Sequence, residues 1–271
     1  MHTGDNDFYA ELSDSDGVLI YNIPDEKSAE ILKYCVEKGI RYYLVPSLGD
    51  IILRTSDIIY LEDIPLLMSK NEGLYLGQRI WKRTFDIFFS VVFLVVCSPL
   101  LLFAAIAIKL CDWGPIFYTQ ERCTERAKKF NILKFRTMIT EAEEDGVARL
   151  AQEDDPRVTP VGKYLRQFRI DELPQLINIL KGEMSFVGPR PERPEFIELY
   201  KEKLPEFDFR LSVKSGLTGF AQVLGKYNTT PEEKLKLDLI YIKTYSFLLD
   251  IKIILMTIKA VFSKKSTEGV V

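Results

Sequence analysis

The chain has 271 residues, 36 Lys and Arg against 39 Asp and Glu, and 47% apolar residues, with a mean hydropathy near zero; this fits a globular protein of one or two modest domains and excludes a strongly basic nucleic-acid binder, a disordered chain and a polytopic membrane protein. The single histidine, His2, lies beside the initiator Met, so Ser-His-Asp triads, Cys-His dyads, His-based zinc sites and histidine proton shuttles have no supplier, and acid–base chemistry falls to carboxylates, Lys or Tyr. Cys35, Cys97, Cys111 and Cys123 form no CxxC pair and read as reduced thiols in a cytosol-facing protein.

Charge is unevenly placed: residues 1–78 carry a net -8, residues 79–110 a net +3 and residues 111–271 a net +2. The acidic start has neither a positive n-region nor an apolar h-region, so it does not read as a signal peptide. Val18 to Tyr21 reads as a strand. Asp25 to Lys38, with Ala29, Ile31, Leu32, Cys35 and Val36 at helical spacing, reads as a helix, followed by strand-like Tyr42 to Val45 and Ile58 to Leu61. This small α/β unit has no GxGxxG and no GxxxxGK[ST], which favours a regulatory or docking role over a nucleotide site. It is short for a doubly wound sheet.

From Ile87 to Ile108 run 22 uncharged residues, which as one helix would rise about 33 Å and match a bilayer core. Two features argue against a simple span. Ser98-Pro99 sits at the centre, where proline removes a backbone donor and clashes with the preceding turn. Basic residues flank both ends, with Arg79, Lys82 and Arg83 before and Lys109, Arg122, Arg126, Lys128, Lys129, Lys134 and Arg136 after, so the positive-inside tendency places both ends on the cytoplasmic face. A re-entrant hairpin turning at Ser98-Pro99, with Ser98 serving backbone groups freed by Pro99, satisfies both. A buried core helix and a proline-kinked span are the competing readings.

The densest polar constellation lies between Lys134 and Arg193. Cations at 134, 136, 157, 166, 169, 190 and 193 suit an anionic substrate, Arg in particular forking onto phosphate oxygens, although such runs are more often solvated faces. Within it stands Asp171-Glu172. Pro174 predicts a helix beginning near Asp171, with both carboxylates at its positively polarised end and Arg166 and Arg169 keeping a carboxylate ionised. An ionised Asp can attack phosphorus without a histidine, and adjacent helical residues point about 100° apart, so the two acids have different tasks. An N-cap with a first-turn acid is the plain alternative. Farther on, Glu232 to Tyr245 and Leu248 to Phe262 read as helices; the second is too charged to span, and its spacing fits a protein surface and a membrane interface equally.

The order of motifs is recognisable: Lys82-Arg83-x-Phe85-Asp86, Ser98-Pro99-Leu100, Gly114-Pro115-Ile116-Phe117, Lys134-Phe135-Arg136-Thr137-Met138, Asp155-Pro156-Arg157-Val158-Thr159, Ile170 to Leu176, Gly188-Pro189-Arg190-Pro191 and Gly216-Leu217-Thr218-Gly219. Over residues 79 to 262 the chain resembles the bacterial sugar transferases, monotopic phosphoglycosyl transferases that act on polyprenyl phosphate. Residues 1–78 resemble the last part of the soluble α/β domain that precedes the catalytic domain in longer members, here without that group's N-terminal transmembrane helices. The resemblance implies transfer of a sugar-1-phosphate from a UDP-sugar to undecaprenyl phosphate with release of UMP, at the cytoplasmic face of the bacterial inner membrane, starting a capsule, exopolysaccharide or O-antigen repeat. It implies Asp171 as the nucleophile, Glu172 as acid/base or metal-placing partner, and Mg²⁺ held at Asp171 and Glu172. Arg166 matches the arginine linked to the phosphate substrates. Lys134, Arg136 and the turn Pro189-Arg190-Pro191 match the wall around the nucleotide sugar, to which the charge reading adds Arg169. A homodimer is compatible with it; a nucleic-acid partner is not expected. A catalytically silent membrane-docked scaffold and a transferase releasing UDP are the rival functions.

The expected fold is mixed α/β: a partial Rossmann-like unit over 1–78, a re-entrant membrane hairpin over 79–110, and a mainly helical cytosolic catalytic domain with short strands and C-terminal amphipathic helices over 111–271. Two stretches depart from the family pattern. Glu121 to Ala127 lacks the glycines often found there, leaving that loop's shape open, and Lys226-Tyr227-Asn228-Thr229-Thr230 replaces a glycine- and tryptophan-containing stretch, leaving the sugar open.

Overall fold

The computed structural model describes residues 8–9, 11–21, 23–69, 73–140, 155–225 and 229–262, so His2 and Lys226 to Asn228 lie outside the described residues. The chain divides into two compact units, Met1–Arg54 and Thr55–Val271.

In the first unit, parallel strands β1 (Val18–Ile20) and β2 (Tyr42–Leu44) are joined by helix α1 (Asp25–Lys38). Asp25 and Glu26 stand in the helix's positively polarised first turn, and Gly39, at φ 67°, ends it by donating to the carbonyls of Cys35 and Val36. Ile31 and Cys35, one turn apart, meet Ile20 in a small core. A short helix, α2 (Leu48–Leu53), follows behind a Ser47/Asp50 capping box.

Ile58 to Leu61, read from the sequence as a continuation of this α/β unit, instead belongs to the second unit. There β3 (Asp57–Leu61) pairs antiparallel with β4 (Ile64–Met68) across the two residues Glu62 and Asp63. Glu62 takes φ 55°, and such a tight left-handed turn closes a strand onto its immediate successor at less entropic cost than a crossover.

Helices α3 (Leu76–Val96) and α4 (Ser98–Asp112) are bent by 62° at Cys97. The cause is local: Pro99 has no N–H for the Val95 carbonyl, and the Ser98 hydroxyl donates to that carbonyl at 2.8 Å instead. Polarity along the pair is inverted. Lys82, Asp86 and Ser90 line the buried face of α3, while Ile80, Trp81, Phe88, Val91, Val95 and Val96 are exposed. On α4, Ala104 and Ile108 are buried against Phe135 and Leu165, leaving Leu102, Phe103, Ile106 and Leu110 outside. No single helix among the described residues is long and apolar enough to cross a membrane, and only this bent pair meets that test together.

Three of the flanking cations are engaged by the protein. Lys82 Nζ pairs with Asp250 Oδ2 at 2.6 Å, Arg83 donates to the Ile179 and Leu180 carbonyls, and Arg79 reaches Glu125 at 3.1 Å. They anchor α3 to the rest of the unit.

Strands β5 (Phe117–Cys123) and β6 (Lys129–Phe135) form a second antiparallel hairpin. Its turn answers the question left open by the missing glycines: Arg126 and Ala127 themselves adopt φ 58° and 56°, with Lys128 N–H donating to Glu125 O at 3.3 Å. Each left-handed non-glycine residue costs about 1–2 kcal/mol. The turn holds because Thr124 Oγ1 bonds the Glu183 carbonyl at 2.8 Å and accepts the Ser215 N–H at 3.1 Å. Ala127→Gly is therefore expected to stabilise the protein by about 0.5–1 kcal/mol after the added chain entropy is subtracted. A thermal-unfolding midpoint that stays put or falls would show that the turn carries no such strain.

The remaining elements are α5 (Pro160–Gln167), α6 (Gln175–Lys181), parallel strands β7 (Ser185–Val187) and β8 (Gly216–Thr218), α7 (Pro194–Lys201), α8 (Phe220–Leu224), α9 (Pro231–Lys243) and α10 (Phe247–Phe262). The two C-terminal helices fall where the periodicity placed them. Helix α10 has two faces: Asp250 and Ile253 are buried, whereas Leu248, Leu255 and Ile258 are exposed beside Lys252 and Lys259, which are also exposed.

Candidate active site

Asp171 and Glu172 are presented by a sharp reversal of the chain. Thr159 caps α5 by accepting the Gly162 N–H at 3.0 Å, with Pro160 in the first turn. After Phe168, Arg169 turns left-handed (φ 54°, ψ 25°), and a 3₁₀ turn spans Ile170–Glu172. The helix expected to begin near Asp171 is present there as this 3₁₀ turn, and the α-helix α6 begins only at Gln175. Leu173 N–H bonds Ile170 O at 3.2 Å, the chain stays in the tighter 3₁₀ form, and Pro174 is the cap of α6 rather than a residue of its first turn. Both acids immediately precede α6, at its positively polarised end.

Lys134 is brought opposite the acids by Asn178 of α6. Asn178 Oδ1 accepts the Leu133 N–H at 2.9 Å, and its amide nitrogen donates to Asn131 O at 2.8 Å, stapling β6 to the helix. Glu172 is then held on both oxygens: Oε1 lies 3.2 Å from Lys134 Nζ and 3.4 Å from Arg190 Nη2, and Oε2 lies 3.4 Å from Arg169 Nη1. Burial works against its charge, but Lys134, Arg190 and Arg169 outweigh it and hold the carboxyl well below the usual range. Asp171 is equally hidden, each being 9% exposed, yet no described residue donates a hydrogen bond to it. Burial, aided by the charge of Glu172, pushes its carboxyl up to about 6, with Lys134, Arg166 and Arg169 pulling the other way. Neighbouring acids with opposed shifts are what divides two carboxylates into two roles. Here one is a neutralised anchor and the other a desolvated carboxylate without a partner.

Arg166 stands in the field of Asp171 while its Nε donates to Thr137 Oγ1 at 2.9 Å. Arg136, predicted for the substrate wall, is directed elsewhere: it pairs with Asp112 at the exit of α4 and donates to Thr140 at 3.4 Å. Gly114 leaves it room, since a Cβ there would collide with the guanidinium. Arg136 therefore ties the end of the hairpin to β6 and does not reach the acids. Arg122, read from the sequence only as flanking charge, belongs to the site's edge. It donates to the Pro191 carbonyl at 3.1 Å, and burial, with the like charges of Arg190 and Arg193, lowers its pKa to about 10. Nothing in the sequence distinguishes Arg122 from its charged neighbours, because the strand pairing alone turns it inward.

Half-buried Lys134, Arg169 and Arg190 thus converge on Glu172 beside an Asp171 that accepts no hydrogen bond from a described residue, a concentration of positive charge suited to an anion. The sequence model of the bacterial sugar transferase family matches residues 77–264. The chain belongs to this family. The undecaprenyl-phosphate glucose phosphotransferase of Komagataeibacter xylinus is 43% identical over 233 residues, 83% of this chain and 44% of that protein. The UDP-N-acetylgalactosamine-undecaprenyl-phosphate N-acetylgalactosaminephosphotransferase of Aeromonas hydrophila is 40% identical over 185 residues, 67% of this chain and 44% of that protein. The UDP-glucose:undecaprenyl-phosphate glucose-1-phosphate transferase of Caulobacter vibrioides is 41% identical over 187 residues, 67% of this chain and 70% of that protein. The chain spans under half the length of the first two relatives.

As a bacterial sugar transferase the chain offers Mg²⁺ a sparse donor set. No group of three His, Cys, Asp or Glu among the described residues is arranged to hold a metal. Glu172 does not fit as a ligand, since each of its oxygens already faces a cation. Asp171, which accepts no hydrogen bond from a described residue, would be the residue to hold the ion, since one carboxylate completed by waters is a set that Mg²⁺ accepts.

Proposed function

We propose that this bacterial sugar transferase moves a sugar-1-phosphate from a UDP-sugar to undecaprenyl phosphate and releases UMP, the first step of a surface polysaccharide. The observation that carries the reading is the buried carboxylate of Asp171, without a hydrogen-bond donor and set among Lys134, Arg166 and Arg169. An Asp oxygen attacks the phosphorus that bears the sugar, the bond from that phosphorus to the bridging oxygen breaks, and UMP leaves with the electron pair. A phosphate oxygen of undecaprenyl phosphate then attacks the same phosphorus, and the Asp171 oxygen departs as a carboxylate. The charge that builds on the transferring group is met by cations already in place, which is where phosphoryl-transfer enzymes find most of their rate. Mg²⁺ bound at Asp171 and the diphosphate would neutralise the donor's charge.

The bent helices support a re-entrant placement in the cytoplasmic leaflet of the bacterial inner membrane, because their exposed apolar face and buried polar face suit lipid outside and protein inside. This would set Asp171 near the depth of a lipid phosphate. Incubating the membrane-reconstituted protein with labelled UDP-sugars, undecaprenyl phosphate and Mg²⁺ is expected to yield UMP and a lipid-linked sugar phosphate. UDP as the nucleotide product, or no product from any UDP-sugar, would sink the reading. In the same vesicles an impermeant thiol reagent on the cytoplasmic side should label both a Gly77→Cys variant, where a Cβ meets no atom within 4 Å, and the exposed native Cys111. Labelling of one site only from the opposite side would mean a full span.

A further inference from the structure

We propose that Arg210 and Asp238, which touch neither acid, are positioning residues for the transfer, acting through the turn that carries Arg190; the proposal rests on the phosphate-transfer reading above. Arg190 reaches Glu172 from the segment Pro189-Arg190-Pro191-Glu192, and all four carbonyls of that segment accept a hydrogen bond. Gly216 N–H donates to Pro189 O at 2.9 Å and Cys123 N–H to Glu192 O at 3.0 Å. Between them, Arg210 Nη2 donates to Arg190 O at 3.0 Å and Arg122 Nη1 to Pro191 O at 3.1 Å. Both prolines fix their own φ. The result is a stretch of backbone with little freedom left, from which Arg190 extends to a carboxylate that must stay in place beside the nucleophile.

Two of those four donors are side chains from distant parts of the chain, and Arg210 is the more deeply set. It is 2% exposed and Asp238, on α9, is 1% exposed. Arg210 Nε and Nη2 both bond Asp238 Oδ2, at 2.9 and 2.8 Å, and its guanidinium lies 4.9 Å from the centroid of the Phe207 ring. A buried ion pair of this kind returns little net stability, because desolvating two charges costs about as much as their attraction gives. What it does supply is a fork held in one orientation, with one nitrogen aimed at the Arg190 carbonyl. Removing the anchor frees that nitrogen, the turn gains freedom, and Arg190 loses its register on Glu172.

A mutant cycle decides the point. Asp238→Asn keeps the shape and removes the anchoring charge; Arg210→Lys keeps the charge and loses the fork. In otherwise wild-type protein each is expected to lower kcat for UMP release about tenfold with a smaller change in KM for the UDP-sugar, as misplacement of a preorganised group does. Placed on Arg190→Ala, each is expected to cost no more than about twofold further, because residues acting through one another are not additive. The same fold-loss in both backgrounds would overturn the proposal, since the damage would then travel by another route. Hydrogen exchange of the 188, 190, 192 and 193 amides gives a second reading that needs no activity. Faster exchange confined to this segment in either variant supports the clamp, and uniform acceleration or none overturns it. If the wild type releases no UMP, the functional reading fails by itself and the exchange result still decides the clamp.

Discussion

Asp171→Asn is expected to lower UMP release by on the order of 10⁴-fold while making the folded protein more stable at neutral pH. The loss follows from the chemistry: an amide oxygen is a poor nucleophile, and with no histidine in the described residues no other group near the diphosphate takes the role. The gain follows from burial. The folded protein holds the Asp171 carboxyl at about 6, above the ordinary 3.8, so the ionised form is disfavoured in the fold relative to the unfolded chain. Between those two values the folded state binds the proton and the unfolded state does not, so stability declines as pH rises through this window and the penalty is complete above about pH 6. A neutral, near-isosteric Asn escapes it. The variant's advantage should amount to about 1–3 kcal/mol at about pH 8 and shrink toward zero near pH 4. Unfolding midpoints of both proteins across that range test this, and an advantage that grows toward low pH would refute it. The same shift makes activity fall as pH drops through about 6, where Asp171 takes up its proton. Mass spectrometry of acid-quenched protein with UDP-sugar alone should find a sugar-phosphate adduct on Asp171 and none on the variant.

Lys82→Met is the second large effect, this time on stability. Lys82 and Asp250 meet at 2.6 Å with side chains only 8% and 2% exposed. The ammonium also lies 5.8 and 5.4 Å from the centroids of the Tyr241 and Tyr245 rings, and the Tyr241 hydroxyl sits 2.9 Å from the other Asp250 oxygen. One turn along α3, Asp86 accepts from Ser185 Oγ and Phe186 N–H, each at 3.0 Å. Removing the ammonium strands a buried carboxylate, which costs about 3–5 kcal/mol. Lys82→Met/Asp250→Asn should lose clearly less than the single variant, because the uncompensated charge is gone. Equal losses for the two proteins would mean that packing, not charge, accounts for the effect. The functional consequence is mechanical: Lys82, Arg83 and Asp86 tie α3 to α10, α6 and β7, so they fix how the bent helices meet the rest of their unit, which includes Asp171.

These residues show where reading the chain alone runs out. Lys82 and Arg83 look like flanking charges for a membrane segment, and their neighbours along the chain give no hint that each has a partner roughly a hundred or more positions away. The bend at Ser98-Pro99 is different. Its cause, a missing N–H and an adjacent hydroxyl, lies within four residues, so the hydrogen bond from Ser98 to the Val95 carbonyl is foreseeable. Helix α1 and the C-terminal helices were likewise readable from spacing and caps. The strand Ile58 to Leu61 is legible in the sequence but its partner is not, because pairing depends on what the following turn does. The hairpin of β5 and β6 left little signal in a stretch where charged and apolar residues alternate irregularly.

For this protein the residues by themselves determined the chemistry available: a single histidine, His2, beside the initiator Met, one Asp-Glu pair among arginines, and an uncharged stretch broken by Ser-Pro. They also carried the order of motifs that places the chain among the bacterial sugar transferases. Only the tertiary structure decided how differently the two acids are surrounded. Composition treats Asp171 and Glu172 alike. The fold brings Lys134, Arg169 and Arg190 onto Glu172 from three separate segments and leaves Asp171 buried without a donor, and it sends Arg136 to Asp112 instead. Local spacing fixes which side chains share a turn. Burial and charge pairing arise from segments far apart in the chain, and those set which carboxylate is held by cations and which is not.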